Sequence, residues 1–164
     1  MDEDDPVRVL SARLAASGQA LLGRSLAVRH VDAGSCGGCE IEIAACRRLR
    51  GGMAAQGIAM VEDLRAADIL LVTGVATRNL AEAVRNSLAG MAPPRFVVAA
   101  GDCALDGGVF KGVPAVLGGV QAVIAVDLLI AGCPPAPRQI LAGLVALVEA
   151  NAREPRRARV EPHA

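Results

Sequence analysis

Three short apolar runs, each followed at once by a glycine-bearing turn that holds a cysteine, limit most what this chain can fold into. LAVRHVD leads into AGSCGGCE, RFVVAA into GDCALDGG, and VDLLIA into GCPPAP, so Cys36 with Cys39, Cys103 and Cys133 each follow a strand-like segment. A further run, Asp68 to Thr73 (DILLVT), is apolar almost throughout, the pattern of a strand covered on both faces. Strands are therefore expected at Ser25 to Val31, Ile58 to Val61, Asp68 to Thr73, Arg95 to Ala100 and Val126 to Ala131.

Helical patterns alternate with these runs. Val7, Leu10, Leu14 and Leu21 form an apolar stripe that predicts a helix from Pro6 to about Leu22. Glu40 to Arg50 reads as a helix stopped by Gly51 and Gly52. Asn79 with Glu82 forms a capping pair for a helix ending near Gly90, and Pro137 opens one that runs to about Ala150. This alternation predicts an α/β fold, a flavodoxin-like parallel sheet with helices on both faces. Residues 1–24 are expected to form an N-terminal helical extension, 25–150 the flavodoxin-like domain, and 151–164 a charged, proline-containing, mobile tail.

Composition narrows the function classes. The chain has 164 residues, more than half of them apolar, enough for one domain with a real core. Lys plus Arg equals Asp plus Glu at 17 each, so no global field draws in nucleic acid or an anionic membrane. Phe96 and Phe110 are the only aromatics, which removes the stacking platforms of single-stranded nucleic-acid binding and disfavours a flavin site. The opening MDEDDPVR is acidic and shows no export signal. The most apolar window, Gly112 to Gly132, carries Pro114, Gln121 and Asp127 and reads as buried strand and loop rather than a membrane span.

In open parallel sheets ligands lie beyond the carboxyl ends of the strands, so the four turn cysteines are expected to meet at one edge. Gly34, Gly37, Gly38, Gly101 and Gly132 would let backbone approach a bulky inorganic core or take positive φ around it, and Pro134 and Pro135 would stiffen the last turn. Without export, thiolate ligation is expected in place of disulfides. Four thiolates can hold zinc or an iron–sulfur cluster. A structural zinc site usually comes as two C-x-x-C knuckles. Here one such pair is joined by two distant single cysteines, which favours a cluster and leaves zinc open. A thioredoxin-type use of the C-x-x-C would leave Cys103 and Cys133 unexplained. Cys46, inside the following helix, reads as a small buried hydrophobe.

DAGSCGGCEIEI, LLVTGVATRN, GDCALDGGVF and AGCPPAP, in this order from about Leu26 to Ala150, resemble the small subunit of energy-converting nickel-iron hydrogenases and formate hydrogenlyases. They are similar as well to the homologous 20-kilodalton, cluster-bearing subunit of respiratory complex I. The resemblance implies one 4Fe-4S cluster held by Cys36, Cys39, Cys103 and Cys133, next to the active site of a large nickel-iron hydrogenase-like catalytic subunit. It implies an oxidoreductase subunit that transfers electrons and is not catalytic alone. Complex I subunits carry two adjacent cysteines where this chain has Cys36-Gly37-Gly38-Cys39, a departure that favours the hydrogenase branch. Gly37 and Glu40 stand where the hydrogenlyase-like form has asparagine and aspartate. Ferredoxin-like and membrane subunits are implied as further partners, with no nucleic acid. The expected location is cytoplasmic, peripheral on the inner face of the membrane through those partners. The alternatives are a quinone-reducing complex I-type subunit and a zinc-binding structural subunit.

Among polar residues, Glu40 and Glu42 open the helix after the first cysteines, where acidic groups favour the positive end of the helix dipole. By the resemblance, Glu42 matches an acidic position near the partner's active site, with a possible part in proton or hydrogen-bond traffic. Asp32 and Asp102 are expected to shape their loops. His30 is not needed as a ligand, and His163 lies in the tail.

Overall fold

The computed structural model describes residues 6–49, 52–55 and 57–153. Five parallel strands make one sheet: β1 (Leu26–Asp32), β2 (Ile58–Met60), β3 (Ile69–Thr73), β4 (Phe96–Ala100) and β5 (Leu128–Ile130), in the order β2-β1-β3-β4-β5. The helices are α1 (Pro6–Leu22), α2 (Gly38–Cys46), the short α3 (Gly52–Ala55), α4 (Arg78–Ala89), α5 (Asp102–Asp106) and α6 (Pro137–Arg153). This is the flavodoxin-like α/β arrangement expected from the alternating pattern.

Side chains of a strand point alternately to the two faces, and β3, buried at every position, shows the consequence. Ile69 and Leu71 join a core with Leu14, Leu26, Val28, Phe96, Val98, Ile140, Leu141 and Val148, where α1, α2 and α6 pack. Leu70 and Val72 join Val97, Ala99, Val84, Met91 and Val120 on the other face, where α4 packs. Leu14 is fully buried and Arg13 pairs with Glu149 at 2.7 Å, so α1 and α6 lie against each other.

Register decides where the site falls. Asp32 stands beside Thr73, Thr73 beside Ala100, and Ala100 beside Ile130. The last residues of β1, β3, β4 and β5 therefore form one row, and the three cysteine-bearing turns leave from that row. At the opposite end the buried carboxylate of Asp68 accepts from Ala27 N at 2.8 Å and from both terminal nitrogens of Arg24 at 2.8 Å, tying β1 to the start of β3.

Several boundaries differ from the sequence expectation. α2 begins at Gly38, between the two cysteines of the C-x-x-C, and ends at Cys46; Gly52 opens α3 instead of closing α2. Thr77, not Asn79, caps α4, and Asn79 and Glu82 both lie inside the helix. The reason is tertiary: Thr77 N donates to Ala33 O at 2.8 Å and its hydroxyl to the same carbonyl at 3.2 Å, so the chain is fixed two residues early. The long glycine-rich segment after β4 contains α5 and two 3-10 turns, Gly108–Phe110 and Val120–Ala122. Residues 151–153 belong to α6, and the rest of the expected tail, with His163, lies outside the described residues.

Candidate metal centre

Each cysteine turn is held by hydrogen bonds of its own. Asp32 Oδ1 accepts from Gly34 N at 2.7 Å and Ser35 N at 2.6 Å, and Ser35 Oγ accepts from Gly37 N at 3.2 Å, which folds the turn that presents Cys36. Asp102 N donates to Gly132 O at 2.8 Å while Asp102 Oδ1 accepts from Gly132 N at 2.7 Å, so the Cys103 and Cys133 turns are fastened together. Both aspartates thus shape loops. The β3–α4 turn braces the Cys36 turn from the side. Gly74, at φ 90°, sits where a Cβ would lie 2.6 Å from Ser35 N, so any other residue would push the two turns apart.

The four turn thiols act on one another. Burial, then the charges of Glu40, Cys103, Cys36 and Cys133, push the Cys39 thiol up to about 11. Cys103 is raised as well, by burial first and then by Cys133 and Cys36. Cys36 and Cys133 are exposed and Cys39 and Cys103 half-buried, so the group stands at the surface of the sheet edge, open on one side. Gly101 completes the cradle: at φ 102°, a Cβ there would lie 2.7 Å from Cys39 Sγ. Among the described residues no three His, Cys, Asp or Glu side chains gather closely enough to grip one metal ion. Four soft sulfur donors carried on loops from one edge of the sheet fit an iron–sulfur core.

Cys46 is separate from this group. It is buried, its Sγ lies 3.8 Å from Pro137 O, and burial with the nearby charge of Glu42 pushes its thiol up to about 11. Glu42 lies one helical turn before Cys46 and acts on it electrostatically. Glu40 turns the other way. Its Oε1 accepts a hydrogen bond from the Thr73 hydroxyl, which in turn lies 2.9 Å from His30 Nε2, and Glu40 Oε2 is buried without a hydrogen-bond partner. Burial pushes the His30 imidazole below its usual value, against the opposing charges of Glu40 and Asp32. Sequence reasoning did not find this chain of three residues, because their spacing carries no signal until the sheet register brings β1 and β3 together. The only hint was Thr73, a polar residue closing an apolar strand.

The family model described as NADH ubiquinone oxidoreductase, 20 Kd subunit, matches residues 36–147, a span that contains all four turn cysteines. A probable membrane-bound hydrogenase subunit of Pyrococcus furiosus is 40% identical over 132 residues, covering 80% of this chain and 79% of that protein. Formate hydrogenlyase subunit 7 of Escherichia coli is 38% identical over 120 residues, covering 73% of this chain, which spans about half (47%) of that relative's length. Among solved structures, a chain of the membrane-bound sulfane sulfur reductase, an archaeal respiratory membrane complex, superposes with a TM-score of 0.69 at 26% identity, covering 92% of this chain and 78% of that one.

Proposed function

The chain belongs to the NADH ubiquinone oxidoreductase 20 Kd subunit family, and on that premise we propose that it is the electron-transfer subunit of a multisubunit, complex I-like hydrogenase assembly. Cys36, Cys39, Cys103 and Cys133 would hold one 4Fe-4S cluster, which when bound takes up and passes on single electrons. The observation that carries this reading is that the segments bearing the four cysteines all leave the same row of strand ends, Asp32, Thr73, Ala100 and Ile130. One C-x-x-C joined by two distant single cysteines, in place of the two C-x-x-C knuckles usual in structural zinc sites, supports a cluster over zinc.

The chain's own residues hold and shape the site. Gly101 gives Cys39 room, Asp102 locks two turns in register, and Asp32 sets the third. The bond chemistry belongs to a large nickel-iron hydrogenase-like partner. Ile41, Val109, Phe110 and Val113 are exposed, Ile41 on the helix that carries Cys39 and the other three in the segment that follows α5 and its Cys103. A partner seated on that edge would cover them and close the open side of the site. Among the described residues no helix is long and apolar enough to cross a membrane. Relatives that belong to membrane-bound complexes support attachment to the inner membrane face through partner subunits. The Cys36-Gly37-Gly38-Cys39 spacing favours the hydrogenase branch over the quinone-reducing one.

Anaerobic purification tests the cofactor. About four iron and about four sulfide per chain, with broad visible absorption, are expected of four-thiolate cubane ligation. Stoichiometric zinc without sulfide would overturn it.

A further inference from the structure

Glu40 lies in the first turn of α2, where an acidic side chain can favour the helix dipole while pointing to solvent. It does not point there. The carboxylate reaches across to β3 and accepts a hydrogen bond from the Thr73 hydroxyl. A hydroxyl has one proton, so with that proton directed at Glu40 the bond to His30 at 2.9 Å requires Nε2 to be the donor. His30 Nε2 is also 3.5 Å from Glu40 Oε1. The chain of bonds runs one way, from imidazole to hydroxyl to carboxylate, and ends on an acceptor. The other oxygen, Oε2, is buried and unpaired, which costs free energy that a neutral or apolar residue would not. Glu40 directly follows Cys39 in the first turn of α2, so this carboxylate is fixed next to a residue that would hold the cluster.

We propose that Glu40, held inward by Thr73 and His30, is a fixed negative charge that lowers the reduction potential of the cluster bound at Cys39. The inference rests on the iron–sulfur reading above. An electron added to a thiolate-bound core meets the field of a carboxylate that is kept from swinging to water, so reduction becomes harder. His30 and Thr73 are positioning residues: they act by keeping the carboxylate in place. The role requires no change of protonation at Glu40.

The test is a redox titration, followed by electron paramagnetic resonance, of the chain with its cluster loaded. Glu40→Gln should shift the potential upward by about tenfold in the reduction equilibrium, about 59 mV for a one-electron couple. Thr73→Val, which frees the carboxylate to reach solvent, should shift it in the same direction by less. Thr73→Ser, which keeps the hydroxyl, should restore the original value. Glu82→Gln removes an exposed charge on α4 and controls for net charge. A Glu40→Gln chain with full iron and sulfide and an unmoved potential overturns the proposal. If Glu40→Gln does not load, an unmoved potential in Thr73→Val overturns it. A native chain without iron and sulfide overturns the cluster reading itself, and iron analysis tells the two failures apart.

Discussion

Cys46 and the four turn cysteines share a side chain and little else. Cys46 sits at the end of α2 against the start of α6, packed as a small hydrophobe, whereas Cys36 and Cys133 are exposed and Cys39 and Cys103 sit half-buried at the starts of α2 and α5. Serine at Cys36, Cys39, Cys103 or Cys133 should abolish or convert the visible spectrum of the loaded protein, while Cys46→Ser should leave it unchanged. The same logic reaches a residue with no donor atom. Gly101→Ala places a methyl group 2.7 Å from Cys39 Sγ and forces a side chain into a positive-φ backbone, so cluster loading should fall sharply, measured as iron per folded chain. At this scale the sequence was legible where chemistry is local. Each cysteine follows its strand directly, and the aspartates shape turns a few residues away. Glu40 does lie in the first turn of α2 as expected, but its bond to Thr73 was not legible, because Thr73 is 33 residues distant and only strand pairing brings them together.

Strands and helices were legible wherever packing obeys a period. β3, with both faces covered, was readable from its continuous apolar run, and α6 from the proline that opens it. Capping was not, since Thr77 takes the place of Asn79 through bonds to Ala33, a residue in another turn. Two consequences concern how elements are joined. Asp68 is buried and serves the Ala27 amide, so Asp68→Ala strands a buried donor at the start of β1 and should lower stability by about 2 kcal/mol in denaturant unfolding. The Arg24 bonds add little to that figure, because half of the arginine side chain is in water. His30 couples the site to acidity. Its folded value lies below the ordinary value of about 6.5, so between the two the unfolded chain holds more protons and stability falls as pH drops through that window. His30→Gln should lose less Tm than the native chain between about pH 7 and about pH 5.

For the molecule as a whole, the parallel sheet with its surrounding helices followed from alternation, while the loop between β4 and β5 hid α5 and two 3-10 turns because short helical turns rich in glycine leave no periodic trace. That loop supplies the most exposed apolar side chain of the site edge, Val109, at 85% exposure. Val109→Asp should leave the fold within about 0.5 kcal/mol of native stability yet weaken recovery of the large partner when the assembly is pulled down from its host. Hydrogen exchange should slow in residues 35–42 and 101–110 when the partner binds. The row of strand ends has a further consequence, for the making of the protein. Cys36 and Cys39 emerge early from the ribosome, but Cys133 follows the last strand, which has no register until β4 is in place beside it. On the cluster reading, a chain stopped before β5 would hold only three of the four thiols, so lasting cluster insertion would require β5 to be made and paired with β4 first.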